Sequence, residues 1–195
     1  MESLQIIQGI QVLLREFGRP WFIAGGWAID LHLNHVTRPH EDVEIAILRQ
    51  DQLVLQEFLG NWDFQKVIPP AKRGLRESWE TGEWLEKPVH EIHATRSEGD
   101  VRSLEILLNE VKGDIWVFRR DHRISLPLSK MGRVSAFGVP YLSPEIVLLY
   151  KTKYRKKKDD LDLENVVSHL DDAGRQWLRS AIEIHSPSHP WLDRL

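Results

Sequence analysis

The sequence predicts an α+β (or closely related α/β) fold for residues 1–140, followed by a helical unit at residues 141–195. Two observations support this division. Through the first unit, short apolar runs of strand length alternate with stretches whose apolar residues recur at helical spacing. Pro140 and Pro144 then mark a change, because the patterns from Glu145 onward are helical.

Each element of the first unit has a local signal. Apolar residues between Leu4 and Leu14 recur at helical spacing, and Gly18-Arg19-Pro20 predicts the end of that helix. A short strand at 21–24 then leads through Gly25-Gly26 into a helix that ends near residue 33. The remaining predictions are a strand at 42–48, a helix at 50–59, irregular chain at 69–87, and strands at 64–67, 89–94, 103–108, 115–118 and 133–139.

The composition excludes several classes of protein. The chain has 195 residues, of which 42% are hydrophobic, so it is long enough to bury a stable core without disulfide cross-links. Cysteine is absent, which excludes disulfides and thiolate metal sites and fits a reducing cytoplasm. No stretch approaches ~18 consecutive apolar residues, so we expect no membrane span, and we expect no secretion signal. A net charge of −3 argues against a general polyanion binder.

Two acids, Asp42 and Glu44, are separated by one residue in the strand predicted at 42–48. Alternate residues of a strand share a face, so the two carboxylates would lie about 7 Å apart on the same side. They repel each other unless a cation lies between them, and Mg²⁺ prefers oxygen ligands of this kind. The plainer interpretation is a solvated sheet face.

Gly25-Gly26 lies between a predicted strand and a predicted helix. Such a turn lets the backbone approach a phosphate closely, because no Cβ intervenes and the helix N-terminus favours negative charge. Taken alone, the glycines indicate no more than a tight turn. A phosphate-binding turn followed by a metal-binding acid pair is a rarer combination, and it favours a functional interpretation of both.

The segments "GGWAID" and "TRPHEDVEI" resemble the polymerase-β-like nucleotidyltransferases, in the branch of the aminoglycoside and lincosamide nucleotidyltransferases. That branch has a Gly-Gly or Gly-Ser turn and then Asp-x-Asp or Asp-x-Glu. Later segments such as "GVPYLSPEIVLLYKTK" also resemble small members, so the resemblance covers most of the chain. Glu44 is a departure, since many members have Asp there. The resemblance implies a nucleotidyltransferase fold, with a small mixed β-sheet flanked by helices and a C-terminal helical unit.

The resemblance also implies a reaction, in which a hydroxyl of a small-molecule acceptor attacks the α-phosphorus of a nucleoside triphosphate and pyrophosphate leaves. ATP is the expected donor, and two Mg²⁺ ions are the expected cofactors, with Mn²⁺ as the alternative ion. Asp42, Glu44 and a third carboxylate would hold the metal. The candidate is Glu105 in the apolar run "RSLEILLNEV", where an unpaired charge is costly, and it would also act as general base. Glu91 is the weaker candidate. The plainer interpretation pairs Glu105 with a basic side chain at a sheet edge.

Basic residues are candidates for phosphate contacts. Lys151 is the first choice for the β- and γ-phosphates, because the C-terminal helices of the resembling family close over the nucleotide; Lys153 and Lys158 are weaker choices. The plainer interpretation of this basic run is a solvated helix face. Arg38 would either reach a phosphate or anchor its loop on Asp42 or Glu44. Arg119 and Arg120 are interpreted as structural.

The nine histidines do not favour zinc. His90 and His93 are three apart on a predicted strand and would face opposite ways, while His32 and His35 lack further ligands for a tetrahedral site. His40 is expected to line the site without binding metal.

Alternative functions remain open at this stage. A catalytically silent relative that binds a nucleotide or a partner is one, although it would have no need to keep Gly25, Gly26, Asp42 and Glu44. A nucleotidyltransferase acting on protein or on tRNA in a toxin–antitoxin system is another. A nucleic acid acceptor is disfavoured, because it calls for a broad basic, aromatic-rich surface and the chain is weakly acidic. The sequence does not specify the acceptor, the preferred nucleotide or the oligomeric state.

Overall fold

A computed structural model of the protein describes residues 2–69 and 75–195, with side chains described from Gln5 onward. Part of the predicted irregular stretch at 69–87 therefore lies outside the described residues, as does the side chain of Leu4. Within the described part, no helix is long and apolar enough to cross a membrane.

The described residues form six α-helices and ten β-strands, which we number in chain order. The helices are α1 (Glu2–Leu13), α2 (Gly25–Leu33), α3 (Gln52–Phe58), α4 (Pro144–Lys151), α5 (Lys157–Val166) and α6 (Asp172–His185). The strands are β1 (Trp21–Ile23), β2 (Glu44–Leu48), β3 (Asp63–Val67), β4 (Arg76–Ser78), β5 (Glu91–Thr95), β6 (Ser103–Lys112), β7 (Ile115–Val117), β8 (Ser125–Pro127), β9 (Gly132–Val134) and β10 (Pro140–Leu142).

The strands of the described residues form a mixed sheet. Eight of them follow the order β4-β3-β5-β6-β2-β1-β10-β9, and β7 and β8 extend the end of β6 as a small antiparallel addition. The β2–β6 and β1–β10 pairs are parallel, and the other pairs along the main path are antiparallel. The predicted fold class, a mixed sheet flanked by helices with a C-terminal helical unit, is confirmed.

Several predicted boundaries differ from the structure. The strand that carries the acid pair begins at Glu44, which leaves Asp42 in the preceding loop. The helix after β1 begins at Gly25 itself. The strand predicted at 133–139 is shorter, since β9 ends at Val134 and a turn leads to β10. Neither β8 nor β10 was predicted as a strand, because each contains a proline, and proline within a short apolar run favours a turn.

The apolar residues of β2 and β6 fix the centre of the sheet. Two pairs of buried apolar residues face each other across these strands, Ile45 with Ile106 and Ile47 with Leu108. Strand register is strongly specified where such residues are buried, because a slip by one residue would turn them all to the opposite face. Glu44 and Glu105 are held in register by the same pairing.

The C-terminal helices join the sheet through β10. This strand pairs in parallel with β1, with Tyr141 opposite Ile23, and α4 begins two residues after the strand ends. Helix α4 packs against α2, α5 and α6. The division of the chain into two units between residues 140 and 141 stays a prediction. Strand β10, which belongs to the sheet, spans this predicted boundary.

Ile182 and Ile184 on α6 offer a matched test of how the C-terminal helices pack. Ile182 is 0% exposed, whereas Ile184 is 40% exposed. We expect Ile182→Ala to lower the free energy of unfolding by about 2–5 kcal/mol, because the substitution leaves a cavity. Ile184→Ala should cost less than about 1 kcal/mol. Chemical denaturation of both variants measures the difference, and equal losses would contradict this orientation of α6.

Candidate active site

Three polar side chains form one row across the neighbouring strands β2, β6 and β5. Glu44 lies opposite Glu105, and Glu105 lies opposite His93. Neighbouring strands are about 5 Å apart, so residues paired in this way are direct neighbours on one face. Nδ1 of His93 is 3.5 Å from Oε1 of Glu105. The predicted third carboxylate therefore lies beside Glu44.

Asp42 joins this row from the loop before β2. The indole N–H of Trp27 donates a hydrogen bond of 3.1 Å to the backbone carbonyl of Asp42, and the backbone N–H of Glu105 donates one of 3.0 Å to Val43. These bonds hold the loop against α2 and β6. Asp42, Glu44 and Glu105 line one cavity of about 300 Å³. The structure thus brings the three predicted carboxylates together, although Asp42 precedes the strand.

The electrostatics of these carboxylates fit a bound cation. Burial raises the pKa of Glu44 to about 7; the charge of Lys151 opposes this effect and that of Asp42 adds to it. Burial, followed by the charge of Asp42, also raises the pKa of Glu105 to about 7. A divalent cation with oxygen ligands would relieve both the burial cost and the repulsion. The donor set therefore suits Mg²⁺ or Mn²⁺.

Gly25 and Gly26 bring the N-terminus of α2 to the carboxylates. Gly25 has a φ of 59°, in the left-handed region that favours glycine, and a Cβ there would overlap Oε2 of Glu44. A Cβ on Gly26 would overlap the guanidinium of Arg38. Both glycines line the cavity. The first backbone N–H groups of a helix have no partner within the helix, so this N-terminus offers donors for phosphate oxygens.

Two of the predicted phosphate-binding cations share Asp162 of α5. Arg38 forms a bidentate pair with it, at 2.8 Å from Nε to Oδ1 and 3.0 Å from Nη2 to Oδ2. Nζ of Lys151 is 3.0 Å from Oδ2 of Asp162 and 3.1 Å from Oδ1 of Asp159. Both cations line the cavity. The anchor of Arg38 is therefore Asp162, and not Asp42 or Glu44 as the sequence suggested.

Lys153 is the predicted nucleotide contact that does not line the cavity. Helix α4 ends at Lys151, and the side chain of Lys153 is exposed and lies 4.7 Å from the ring centroid of Tyr154. Lys156 and Lys158 of the same basic run line the cavity instead. The sequence could not decide among these lysines, because the turn between α4 and α5 determines which of them face inward.

A buried network under the cavity fixes the loop that carries Asp42. Nε2 of His40 is 2.5 Å from Oδ2 of Asp30 on α2. The backbone N–H and the hydroxyl of Thr37 donate to Oδ1 of Asp30 at 3.1 and 2.6 Å. The His40 ring packs against Trp27 with 4.3 Å between centroids. Sequence reasoning placed His40 at the site but missed Asp30, whose signal was a charged residue in an otherwise apolar helix.

His93 is a further residue of the site that the sequence did not reveal. Its Nε2 is 2.9 Å from Oε1 of Glu91. Ligand atoms of Glu91, His93 and Glu105 all lie within 4.8 Å of one another, close enough to share a metal ion. In the sequence, His93 could be considered only together with its near neighbour His90. Its contact with Glu105 depends on the pairing of β5 with β6, which is a long-range contact with no local signal.

Arg119 and Arg120, interpreted from the sequence as structural, also line the cavity. Nη1 of Arg120 donates to the backbone carbonyl of Tyr150 at 2.7 Å, and the guanidinium of Arg119 lies 5.4 Å from the Tyr150 ring centroid. These arginines therefore do more than pack against Tyr150, because they also contribute positive charge to the cavity wall.

Comparison with known proteins identifies the family of this chain. The chain belongs to a family of nucleotidyltransferases, and its mixed sheet presents a Gly-Gly helix N-terminus to paired carboxylates. The family model described as aminoglycoside-2″-adenylyltransferase matches residues 6–145, and the chain belongs to that family. The search of curated proteins found no significant match to this chain.

Two solved structures share the fold at low identity. A crystal structure of ANT(2″)-Ia in complex with adenylyl-2″-tobramycin is 18% identical, with a TM-score of 0.64 over 94% of this chain and 98% of that one. A lincomycin-bound crystal structure of the lincosamide antibiotic adenylyltransferase LnuA is 17% identical, with a TM-score of 0.57 over 85% of this chain and 97% of that one.

The raised pKa values predict how stability depends on pH. The pKa of Glu44 and of Glu105 is about 7 in the folded protein, against an ordinary value of 4.5. The folded state therefore holds these protons more tightly than the unfolded state, and their contribution to stability is lost as pH rises from about 4.5 through about 7. Without divalent cations, we expect the unfolding midpoint to fall across this range, and to fall less in Glu44→Gln. Thermal unfolding measures both.

Magnesium provides the complementary measurement. Protons compete with the cation for the carboxylates, so Mg²⁺ should raise the unfolding midpoint more at about pH 7.5 than at about pH 5.5. Glu164→Gln, which changes an exposed acid of α5, serves as the control and should behave like the wild type. A magnesium effect that does not depend on pH, or that persists in Glu44→Gln, would contradict the proposed cation site.

Gly25→Ala and Gly113→Ala test the close approach of α2 to Glu44. Both glycines have positive φ, 59° and 55°, but an added Cβ overlaps Glu44 at Gly25 and has nothing within 4 Å at Gly113. Backbone strain should cost each variant roughly 1–2 kcal/mol of stability, and Gly25→Ala should lose more because its Cβ also displaces the side chain of Glu44. Only Gly25→Ala should also lose the thermal shift with Mg²⁺ and nucleotide. Equal shifts in the two variants would show that the approach of α2 is not required.

Proposed function

We propose that the protein transfers the nucleoside monophosphate of ATP, in a reaction that depends on Mg²⁺, to a hydroxyl group of a small-molecule acceptor. The observation that supports this proposal is the convergence of Asp42, Glu44 and Glu105 in one cavity with the N-terminus of α2. Neither feature alone would carry it, because acidic clusters and glycine turns are common. Together they offer binding partners for a metal ion and for phosphate in the same 300 Å³.

Asp42, Glu44 and Glu105 are the residues that would hold the metal. Bound there, Mg²⁺ would neutralise phosphate charge and align the attacking and leaving oxygens. The protein's own contribution is to position these carboxylates, through the sheet pairing of Glu44 with Glu105 and the bond from Trp27 to the Asp42 carbonyl.

Glu105 is proposed as the general base for the acceptor hydroxyl. With a pKa of about 7, its carboxylate can accept a proton near neutral pH. His93 lies 3.5 Å from Oε1 of Glu105 and also contacts Glu91, so the imidazole orients this carboxylate. The oxygen of the acceptor would then attack the α-phosphorus as its proton passes to Glu105, and pyrophosphate would leave.

Lys151 and Arg38 are proposed as phosphate contacts that Asp162 holds in place. Both side chains face the cavity while bound to this one buried acid. Oriented cations of this kind stabilise the negative charge that develops on transferring phosphoryl groups. The N–H groups at Gly25 and Gly26 would bind further phosphate oxygens.

The acceptor is proposed by class only. One of the similar structures is a complex with adenylyl-2″-tobramycin and the other is lincomycin-bound, so hydroxyl-bearing compounds of these two kinds are the starting set for an acceptor screen. At such low sequence identity, the similarity shows a shared fold and does not identify the acceptor.

Thermal unfolding with ATP, GTP, CTP and UTP, each with and without Mg²⁺, tests the proposal. A nucleotide at 100 times its dissociation constant stabilises a protein by about 2.7 kcal/mol, which corresponds to a shift of several degrees for a chain of this size. We expect a shift with ATP that requires Mg²⁺ and is lost in Asp42→Asn. Pyrophosphate release in the presence of the acceptor set then measures turnover.

The outcomes separate the alternatives. A shift with Mg²⁺ and ATP but no pyrophosphate release with any acceptor would favour a catalytically silent nucleotide-binding relative. No shift with any nucleotide, or the same shift in Asp42→Asn, would overturn the proposal. Glu164→Gln is the matched acid substitution outside the cavity and should retain the wild-type shift.

A further inference from the structure

The cavity has a second end, away from the carboxylate row. It extends along β6 from Glu105 to Asn109, and four residues of a strand span about 13 Å. Arg119 and Arg120 lie at this end, because they follow β7 after one intervening residue and Val117 of β7 pairs with Glu110 of β6. Two adjacent guanidinium groups thus form part of the wall at this end.

Nearby acids do not neutralise these two arginines. In the described part of the chain, Glu110 pairs with Arg49 and Lys87, and Asp121 pairs with Arg123. No carboxylate among the described residues forms a salt bridge with Arg119 or Arg120. Two positive charges are therefore adjacent and partly buried. Arg119 is favoured by the charges of Glu91 and Glu110, which lie beyond ion-pair distance, whereas no described carboxylate raises the pKa of Arg120. Such a pair is costly to bury unless a ligand supplies negative charge.

Arg120 also has unused hydrogen-bonding capacity. Its Nη1 donates to the Tyr150 carbonyl, but its buried Nε has no partner in the described structure. Burial, followed by the charge of Arg119, lowers the pKa of Arg120 to about 10. A guanidinium in this situation is suited to a carboxylate or phosphate, because each of these accepts paired N–H···O bonds.

The acids of the cavity, by contrast, already have partners or roles. Asp42, Glu44 and Glu105 form the metal set, Asp159 binds Lys151, and Glu91 binds His93. No further carboxylate lines the cavity among the described residues. A polycationic acceptor needs acids to bind its ammonium groups, and this cavity offers none for that purpose.

We propose that Arg119 and Arg120 form an anion subsite for the acceptor, which therefore carries a carboxylate or phosphate group in addition to its reacting hydroxyl. This inference rests on the proposed function and narrows its acceptor class away from polycations. The transfer step is unchanged: an O–P bond forms at the α-phosphorus, the bond to pyrophosphate breaks, and the hydroxyl proton passes to Glu105. The triphosphate is assigned to the other end of the cavity, beside Gly25 and Gly26.

Arginine side-chain NMR of the full chain tests the subsite directly. The Nε–H signals of Arg119 and Arg120 are followed while methyl phosphate or acetate is titrated, with Mg²⁺ and a non-hydrolysable ATP analogue already saturating. We expect saturable shifts at both arginines with at least one probe, and none at the exposed Arg123. Whichever probe binds more tightly identifies the phosphate or the carboxylate as the acceptor's anionic group.

Other results would overturn the inference. Shifts seen only without the ATP analogue would assign the arginines to the triphosphate, and no shift in either condition would show that there is no anion subsite. The backbone signals of Gly25 and Gly26 report nucleotide binding in the same samples. Nucleotide binding without any effect of the probes is a failure of this inference alone, whereas the absence of nucleotide binding is a failure of the proposed function.

Substitutions provide a second readout. Arg119→Gln and Arg120→Gln should each weaken the binding of the better probe by about tenfold, which is about 1.4 kcal/mol. Arg123→Gln is the matched control, since Arg123 pairs with Asp121 and lies outside the cavity lining. The thermal shift with Mg²⁺ and ATP should be retained in all three variants. Unchanged probe binding in both cavity variants would contradict the proposal, and the wild-type titration decides the question if either variant fails to fold.

Discussion

The parallel pairing of β2 with β6 holds two carboxylates, Glu44 and Glu105, opposite each other. The electrostatic repulsion between these carboxylates determines much of the site. Like charges paired across strands destabilise a sheet, and partial burial adds to the cost. The strands cannot relieve it by slipping, because the pairing of Ile45 with Ile106 fixes the register. The fold therefore keeps an unfavourable interaction at its centre, and the proposed cation would relieve it on binding.

The second layer of the site is a set of ion pairs that connects the sheet to the helices. Asp162 binds both Arg38 and Lys151, so one buried acid positions cations from a loop of the sheet and from α4. A buried pair of this kind contributes little net stability, because desolvation offsets the attraction. Its value lies in orientation: the cations face the cavity with their side chains already ordered. In the proposed function, a triphosphate would compete with Asp162 for Arg38 and Lys151, which are already in place.

Local signals in the sequence were sufficient for part of this arrangement. Gly25, Gly26, Asp42 and Glu44 were identified because they are close in sequence, and Glu105 because a charge in an apolar strand requires a reason. The neighbours of Glu105 could not be identified, since His93 depends on the pairing of β5 with β6. The inward-facing lysines depend in the same way on a turn. The prolines that bound β8 and β10 concealed both strands: β8 pairs with the adjacent strand β7, whereas β10 pairs with β1, which is distant along the chain.

The bidentate bond between Arg38 and Asp162 joins residues that are 124 positions apart. One end belongs to the loop that carries Asp42, and the other to a helix that follows the last strand of the sheet. A chimera whose C-terminal helices lacked an acid at the position of Asp162 would retain Arg38 without its counter-ion, leaving a partly buried guanidinium unpaired beside the proposed metal ligands. In this chain the C-terminal helices and the loop before β2 are therefore exchangeable only as a matched set.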